Sequence, residues 1–353
     1  MSHPYAVKVI LDTCRDLKPE GVSQRLRYST FVSLSKRYMY FQVPKAACTR
    51  MKELLRTVEN APPLHLLVGD HRETRRDMFV HARENVPLPS LLDLTAEQQR
   101  EVLESPDFLR ITFVRNPYTR LASAWKNKIR LCEPDHQYVY LHIKGHLPEQ
   151  HAKSLVTFEE FVEYIEKHCD LRTCDAHWRR QVDHLFLPAL NFSYVGKIEE
   201  MAEGLRRFEK HLRLAQPFPD DLRNVSGTTG GVRYSRALAD KVYCLYEKDF
   251  ATLGYDRALS IPEEHTSQEE ARKATVREET FADEVIERNV VISLLYQERD
   301  RLQSDMHKVW RLQFLVLANA VLRLRRASLR LLSHLKARIG QMLSPRSRGG
   351  TRA

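Results

Sequence analysis

Tyr38-Met39-Tyr40-Phe41-Gln42-Val43-Pro44-Lys45-Ala46-Ala47-Cys48-Thr49 is the stretch that decides the fold. Tyr38 to Val43 is an aromatic and apolar run closed by proline, the pattern of a buried strand. Residues 44–49 turn at once into a predicted helix from Thr49 to Glu59, with Thr49 as its N-cap and Lys52, Leu54 and Leu55 following. A second junction repeats the plan. Leu109 to Val114 reads as a strand, Arg115-Asn116-Pro117 as the turn, and Tyr118 to Arg130 as the helix, with Asn116 as N-cap and Pro117 at the first helical position. A strand that ends in a short loop and enters a helix aims backbone N–H groups and the positive helix end at one point, which suits a phosphate. Lys45 adds a cation and Thr49 a hydroxyl at the first junction. Arg115 stands at the strand edge of the second, and Ser123 follows eight residues on. Two anion sites on neighbouring strands match a ligand carrying phosphates at both ends. Either junction alone also fits an ordinary capped turn.

Outward from these junctions, the sequence predicts five zones. Residues 1–37 form a mixed, helical lead-in, and 38–259 alternate apolar runs with amphipathic segments, as an α/β domain does. Residues 260–280 are a polar linker. Residues 281–343 form a long helical, coiled-coil-like extension: no Gly or Pro interrupts 281–339, and Leu295, Leu302, Met306, Val309, Val316 and Ala320 keep heptad-like spacing. Residues 344–353 form a basic, low-complexity tail.

The charge is unevenly placed. The 353-residue chain carries 56 Lys+Arg against 46 Asp+Glu, a net charge of +10. Residues 311–353 hold ten basic groups and no acid, which leaves the first 310 residues formally neutral. A neutral body argues against a nucleic-acid binder with a basic face. The cationic segment, with the apolar run Leu312 to Leu322 beside it, suggests an anionic membrane surface as partner, and the extension suggests a homo-oligomer. The run is too short to span a bilayer, and Met1 to Leu17 lacks a signal-peptide pattern. The six scattered cysteines fit neither a redox CxxC nor a zinc set, so no metal is expected and the thiols suit a reducing compartment.

Together the junctions resemble the two co-substrate motifs of sulfotransferases that use 3′-phosphoadenylyl sulfate (PAPS). Val43 to Thr49 resembles the 5′-phosphosulfate loop, and Phe113 to Trp125 the 3′-phosphate motif. Three further segments resemble the carbohydrate branch of chondroitin 4-O and HNK-1 type: Asp175-Ala176-His177-Trp178, Tyr194 to Glu199, and Tyr246 to Phe250 with Gly254-Tyr255. The similarity covers roughly residues 36–256. It implies a P-loop-like sulfotransferase fold, with a central parallel sheet flanked by helices, and sulfuryl transfer from PAPS to a hydroxyl of a polysaccharide or glycolipid. It implies that Lys45, Ala47, Cys48 and Thr49 hold the 5′-phosphosulfate, that Arg115 and Ser123 hold the 3′-phosphate, and that Lys45 offsets charge on the leaving phosphate. For the base, His81 matches by order a histidine between the motifs of that branch; His177, next to a possible sugar platform in Trp178, is the alternative. His65 and His71 lie in the same inter-motif region.

The chain departs from the pattern at Arg50, where a small hydroxyl residue is usual, and at Asn116 in place of Asp. It lacks the N-terminal anchor and the cysteine pair of Golgi members, which led to the expectation of a cytoplasmic enzyme, peripheral at the membrane. A P-loop kinase is disfavoured, because no G-x-x-x-x-G-K-[ST] occurs and the first loop has no glycine. A catalytically idle scaffold acting through the C-terminal helix is the other alternative.

Overall fold

The computed structural model describes residues 3–62, 83–130, 133–145, 156–214, 216–218, 232, 234–258 and, beyond them, 292, 295, 298, 301, 302 and 305. The chain divides into two compact units, residues 1–289 and 290–353.

The first unit is built on a four-stranded sheet in the order β1 (Thr30–Ser33), β2 (Tyr38–Phe41), β3 (Leu109–Val114) and β4 (Tyr194–Lys197). Every residue of β1 and β2 is buried, so these strands are sealed on both faces. β2, β3 and β4 run parallel, with Tyr38 opposite Leu109 and Ile111 opposite Tyr194. Parallel neighbours need a crossover between them, and helix α3 (Cys48–Val58) and helix α4 (Ala96–Glu104) lie between β2 and β3 in the chain. The central parallel sheet is therefore present, but the whole sheet is mixed. β1 pairs antiparallel with β2, with Thr30 opposite Phe41 and Ser33 opposite Tyr38. It lies inside the segment read as a helical lead-in, behind α1 (Tyr5–Thr13) and α2 (Pro19–Ser29). Ala6, Val7, Ile10, Val22 and Leu26 of those helices belong to the same core as the strands.

The remaining helices are α5 (Pro117–Ala124), which runs on into a π turn at Trp125–Ile129, α6 (Gln137–Gly145), α7 (Phe158–His168), the single turn α8 (Gln181–His184), α9 (Met201–Leu212) and α10 (Arg236–Leu253). α9 approaches the sheet closely. A Cβ at Gly204 would lie 2.5 Å from the Phe113 ring, and one at Gly196 of β4 would lie 2.8 Å from it, so both positions exclude a side chain.

In the second unit the described positions are helical, and Leu295 and Leu302 are exposed. The polar linker 260–280, the cationic segment 311–353, and His65, His71 and His81 lie outside the described residues. Among the described residues, no helix is long and apolar enough to cross a membrane.

Candidate active site

The first junction achieves its turn without glycine. Lys45 and Ala47 both hold left-handed backbone conformations, at φ 66° and 58°, a region that costs an L-residue about 1–2 kcal/mol. Ala47, not Thr49, is the N-cap of α3, and an alanine has no polar side chain with which to cap it. Thr49 sits in the first turn. The first-turn N–H groups and the positive end of a helix favour a ligand anion. Burial, then the neighbouring Lys128, pushes the Lys45 ammonium down to about 8, against the favourable field of Cys48 and Glu133. A desolvated cation beside a helix start is a site that an anion completes.

The second junction forms as its residues predict. The Asn116 side chain accepts from the Tyr118 N–H at 3.0 Å, and Pro117 opens α5. Arg115 is locked from several sides. The Gln181 amide accepts from its N–H at 2.9 Å and donates to its carbonyl at 2.8 Å. Its Nε donates to Thr119 Oγ1 at 2.9 Å, and its Nη1 donates to the Lys45 carbonyl at 3.4 Å. The two junctions thus share a bond. Asn116 N–H donates to Glu199, which also accepts from the Tyr255 hydroxyl, so the fourth and fifth sequence segments meet here. Ser123 lies in the last turn of α5, partly exposed.

Arg120 lies inside the Phe113–Trp125 segment. It is 1% exposed and donates to three carbonyls: Pro44 at 3.0 Å, Arg179 at 2.9 Å and Ala176 at 2.8 Å. One side chain therefore ties the first loop to the Asp175–Trp178 segment. That segment is also held from α10, where Tyr246 donates to the Trp178 carbonyl and the buried Asp249 accepts from the N–H groups of Gln181 and Val182. These bonds account for the matching of Asp249 and Tyr246 to a shared motif without assigning them chemistry.

His177 Nδ1 lies 2.8 Å from Asp175 Oδ1, which also accepts the His177 backbone N–H at 2.8 Å. The other carboxylate oxygen faces His136 Nε2 at 3.4 Å, and His136 Nδ1 faces Glu133 at 3.5 Å. Lys128 donates to Glu133 at 2.7 Å. Burial pushes Asp175 up, but its bonds with His136 and His177 outweigh that and hold it well below the carboxylate range. Burial brings His177 down to about 4 against the pull of Asp175. Burial also lowers His136, but Asp175 and Glu133 win and its net shift is upward. With the proton of the neutral ring on Nδ1, facing Asp175, His177 keeps the Nε2 lone pair free to accept another. Glu133 and His136 were missed in the sequence, since neither sits in a motif. Trp178, read as a possible sugar platform, is 1% exposed and packs edge-on against Phe161, which removes it from that role.

A cleft of about 700 Å³ opens beside Asp175, between the α2 residues Arg25 and Tyr28 and the segment carrying Cys174 and Arg179. Tyr28 is 48% exposed, and its hydroxyl feels both Cys48, at the start of α3, and Asp175. Asp175, the partner of His177, stands on the wall of this cleft.

The sequence model of the sulfotransferase family matches residues 28–256. Among curated proteins, the chain is 27% identical over 255 residues to carbohydrate sulfotransferase 12 of Mus musculus, covering 63% of this chain and 59% of that one. It is 29% identical over 191 residues to carbohydrate sulfotransferase 14 of Mus musculus, covering 52% and 46%. It is 24% identical over 262 residues to carbohydrate sulfotransferase 10 of Xenopus laevis, covering 68% and 71%. The chain spans about half the length of the first two relatives. No solved structure matches. These relatives overturn the cytoplasmic expectation. They are carbohydrate sulfotransferases, the branch whose resemblance brings a Golgi membrane setting with it, and a chain that spans part of its relatives says nothing through its own start about an anchor.

Proposed function

Because the chain belongs to the sulfotransferase family, we propose that it transfers the sulfuryl group of PAPS to a hydroxyl of a carbohydrate, in the manner of the chondroitin 4-O and HNK-1 branch. The observation that carries this reading is the joining of the two anion-binding junctions, with Arg115 donating to the carbonyl of Lys45. The donor set fits a ligand with phosphates at both ends: a helix start and an ammonium at one junction, a locked guanidinium at the other.

Lys45 and the first-turn amides of α3, at Cys48 and Thr49, hold the 5′ end and offset the charge that grows on the leaving phosphate oxygen. Arg115 and Ser123 hold the 3′-phosphate. The acceptor sugar lies in the cleft beside Tyr28 and Asp175, with its hydroxyl toward His177. As the new S–O bond forms, the S–O bond to the phosphate breaks in line. The hydroxyl proton passes to Nε2 of His177, while Asp175 fixes the ring through Nδ1. The product nucleotide leaves as 3′-phosphoadenosine 5′-phosphate. Asp175 supports His177 as the base over His81, and His81 remains the competing assignment.

Incubation of the full chain with radiolabelled PAPS and a panel of glycans and glycolipids tests the reading. Label is expected on a neutral or uronate-containing glycan, and its transfer is expected to be lost in Lys45→Ala. Transfer to none of the panel by a protein that binds the nucleotide would leave the acceptor class wrong; failure to bind the nucleotide would remove the reading itself.

A further inference from the structure

His136, Asp175 and His177 do more than hold a proton-accepting ring. Their ligand atoms lie within 4.8 Å of one another, and they come from two separate stretches of chain, the 3₁₀ turn at Pro134–His136 and the Asp175–Trp178 segment. Each oxygen of Asp175 faces a different imidazole nitrogen, at 2.8 Å and 3.4 Å. Neighbouring ligands of a tetrahedral zinc ion, at about 2.0–2.1 Å from the metal, stand at comparable separations from one another. The two rings are nearly perpendicular, with centroids 4.9 Å apart.

The surroundings also have the form of a metal site. A ligating histidine is commonly oriented by a carboxylate on its other nitrogen. Glu133 occupies that place behind His136, at 3.5 Å from Nδ1, and Lys128 fixes Glu133 in turn. His136 is 5% exposed, and its Nδ1 is buried without a hydrogen bond of good geometry. His177 and Asp175 stay partly exposed, and Asp175 lines the cleft, which leaves a path for a cation and a position for water. Two imidazoles and one carboxylate favour a borderline divalent ion such as zinc or cobalt, and disfavour magnesium and calcium, which take oxygen ligands.

We infer that His136 Nε2, Asp175 and His177 Nδ1 form a binding site for a zinc-class divalent cation. One consequence rests on the reading of His177 as base. A cation on Nδ1 of neutral imidazole leaves the ring proton on Nε2, and that nitrogen then has no lone pair with which to accept the acceptor's proton. The cation is therefore inhibitory, and a chelator restores transfer.

Cobalt(II) titrated into the full-length protein reads the site through its visible absorption, with no need for turnover. One equivalent is expected to produce the intense band of a low-coordinate cobalt with nitrogen ligands, and zinc is expected to displace it. His136→Gln and Asp175→Asn should each weaken binding by more than tenfold, and Glu133→Gln by about tenfold. Thermal melting and binding of 3′-phosphoadenosine 5′-phosphate show whether each variant is folded. Absence of the band in wild type, or equal affinity in folded His136→Gln and Asp175→Asn, overturns the site. Binding of zinc at this site without slowing transfer upholds the site and counts against His177 as the base.

Discussion

The Arg115 guanidinium donates to the backbone carbonyl of Lys45 across a gap of 3.4 Å, so the residue proposed for one end of the nucleotide also braces the loop proposed for the other. Arg115→Ala removes a charge and this brace together. Hydrogen bonds to charged groups contribute about 1.5–3 kcal/mol, so affinity for 3′-phosphoadenosine 5′-phosphate should fall by roughly tenfold to a hundredfold. Arg115→Lys should recover only part of it, because a lysine cannot bond Thr119, the Lys45 carbonyl and a phosphate from one planar group. Calorimetric titration of the two variants checks both statements.

Lys45 predicts a pH dependence. Its ammonium is brought down to about 8 by burial and by Lys128 and Arg115, against Cys48 and Glu133. An anionic ligand binds the charged form, so binding takes up a proton once the free amine has lost it. Affinity should be level below pH 8 and decline above it, by at most tenfold per pH unit. Lys45→Arg, which stays charged, should remove the decline. Titrations of the nucleotide product from about pH 6.5 to 9.5 give the two curves.

Arg120 predicts a stability loss away from the chemistry. Its removal leaves the carbonyls of Pro44, Ala176 and Arg179 without their buried donor. Each orphaned buried group costs roughly 1–3 kcal/mol, so Arg120→Ala should lose about 3 kcal/mol or more in denaturant unfolding. Arg120→Lys should lose nearly as much, since one ammonium cannot reach three separated carbonyls.

Ala47 predicts the opposite sign. At φ 58° it has the backbone of a glycine. Ala47→Gly relieves about 1–2 kcal/mol of steric cost and gives back part of it as unfolded-state entropy. A net gain of about 0.5–1 kcal/mol in unfolding free energy is expected. A loss would show that the alanine methyl packs favourably in the loop.

Asp175→Asn separates orientation from binding. If Asp175 fixes the ring of His177 through Nδ1, the amide permits the wrong tautomer, and kcat should fall by about 10²–10⁴-fold, the usual weight of a positioned acid or base. Affinity for the nucleotide should hold within about threefold. Single-turnover transfer and calorimetry measure the two separately.

What the sequence disclosed follows from how local each feature is. Asn116 and Pro117 were readable because a cap is set by neighbours two residues apart, as the Asn116–Tyr118 bond is. The start of α3 was misread by two residues, because a left-handed alanine has no signature in residue type. β1 is only four residues long and sits between a helix and a tight turn, so its pairing with β2 is a tertiary fact. His136 lies 39 positions before Asp175 and reaches it only through folding. Trp178 had the right residue type for a sugar platform, but the side chains of Phe161 and His136 cover it, and Tyr28, outside every motif, holds the exposed place beside the cleft.

The most direct test of the account is calorimetric binding of 3′-phosphoadenosine 5′-phosphate to the wild-type chain and to Lys45→Ala. The account predicts one site in wild type and at least a tenfold loss in the variant. No binding to wild type, or equal binding by both proteins, contradicts it.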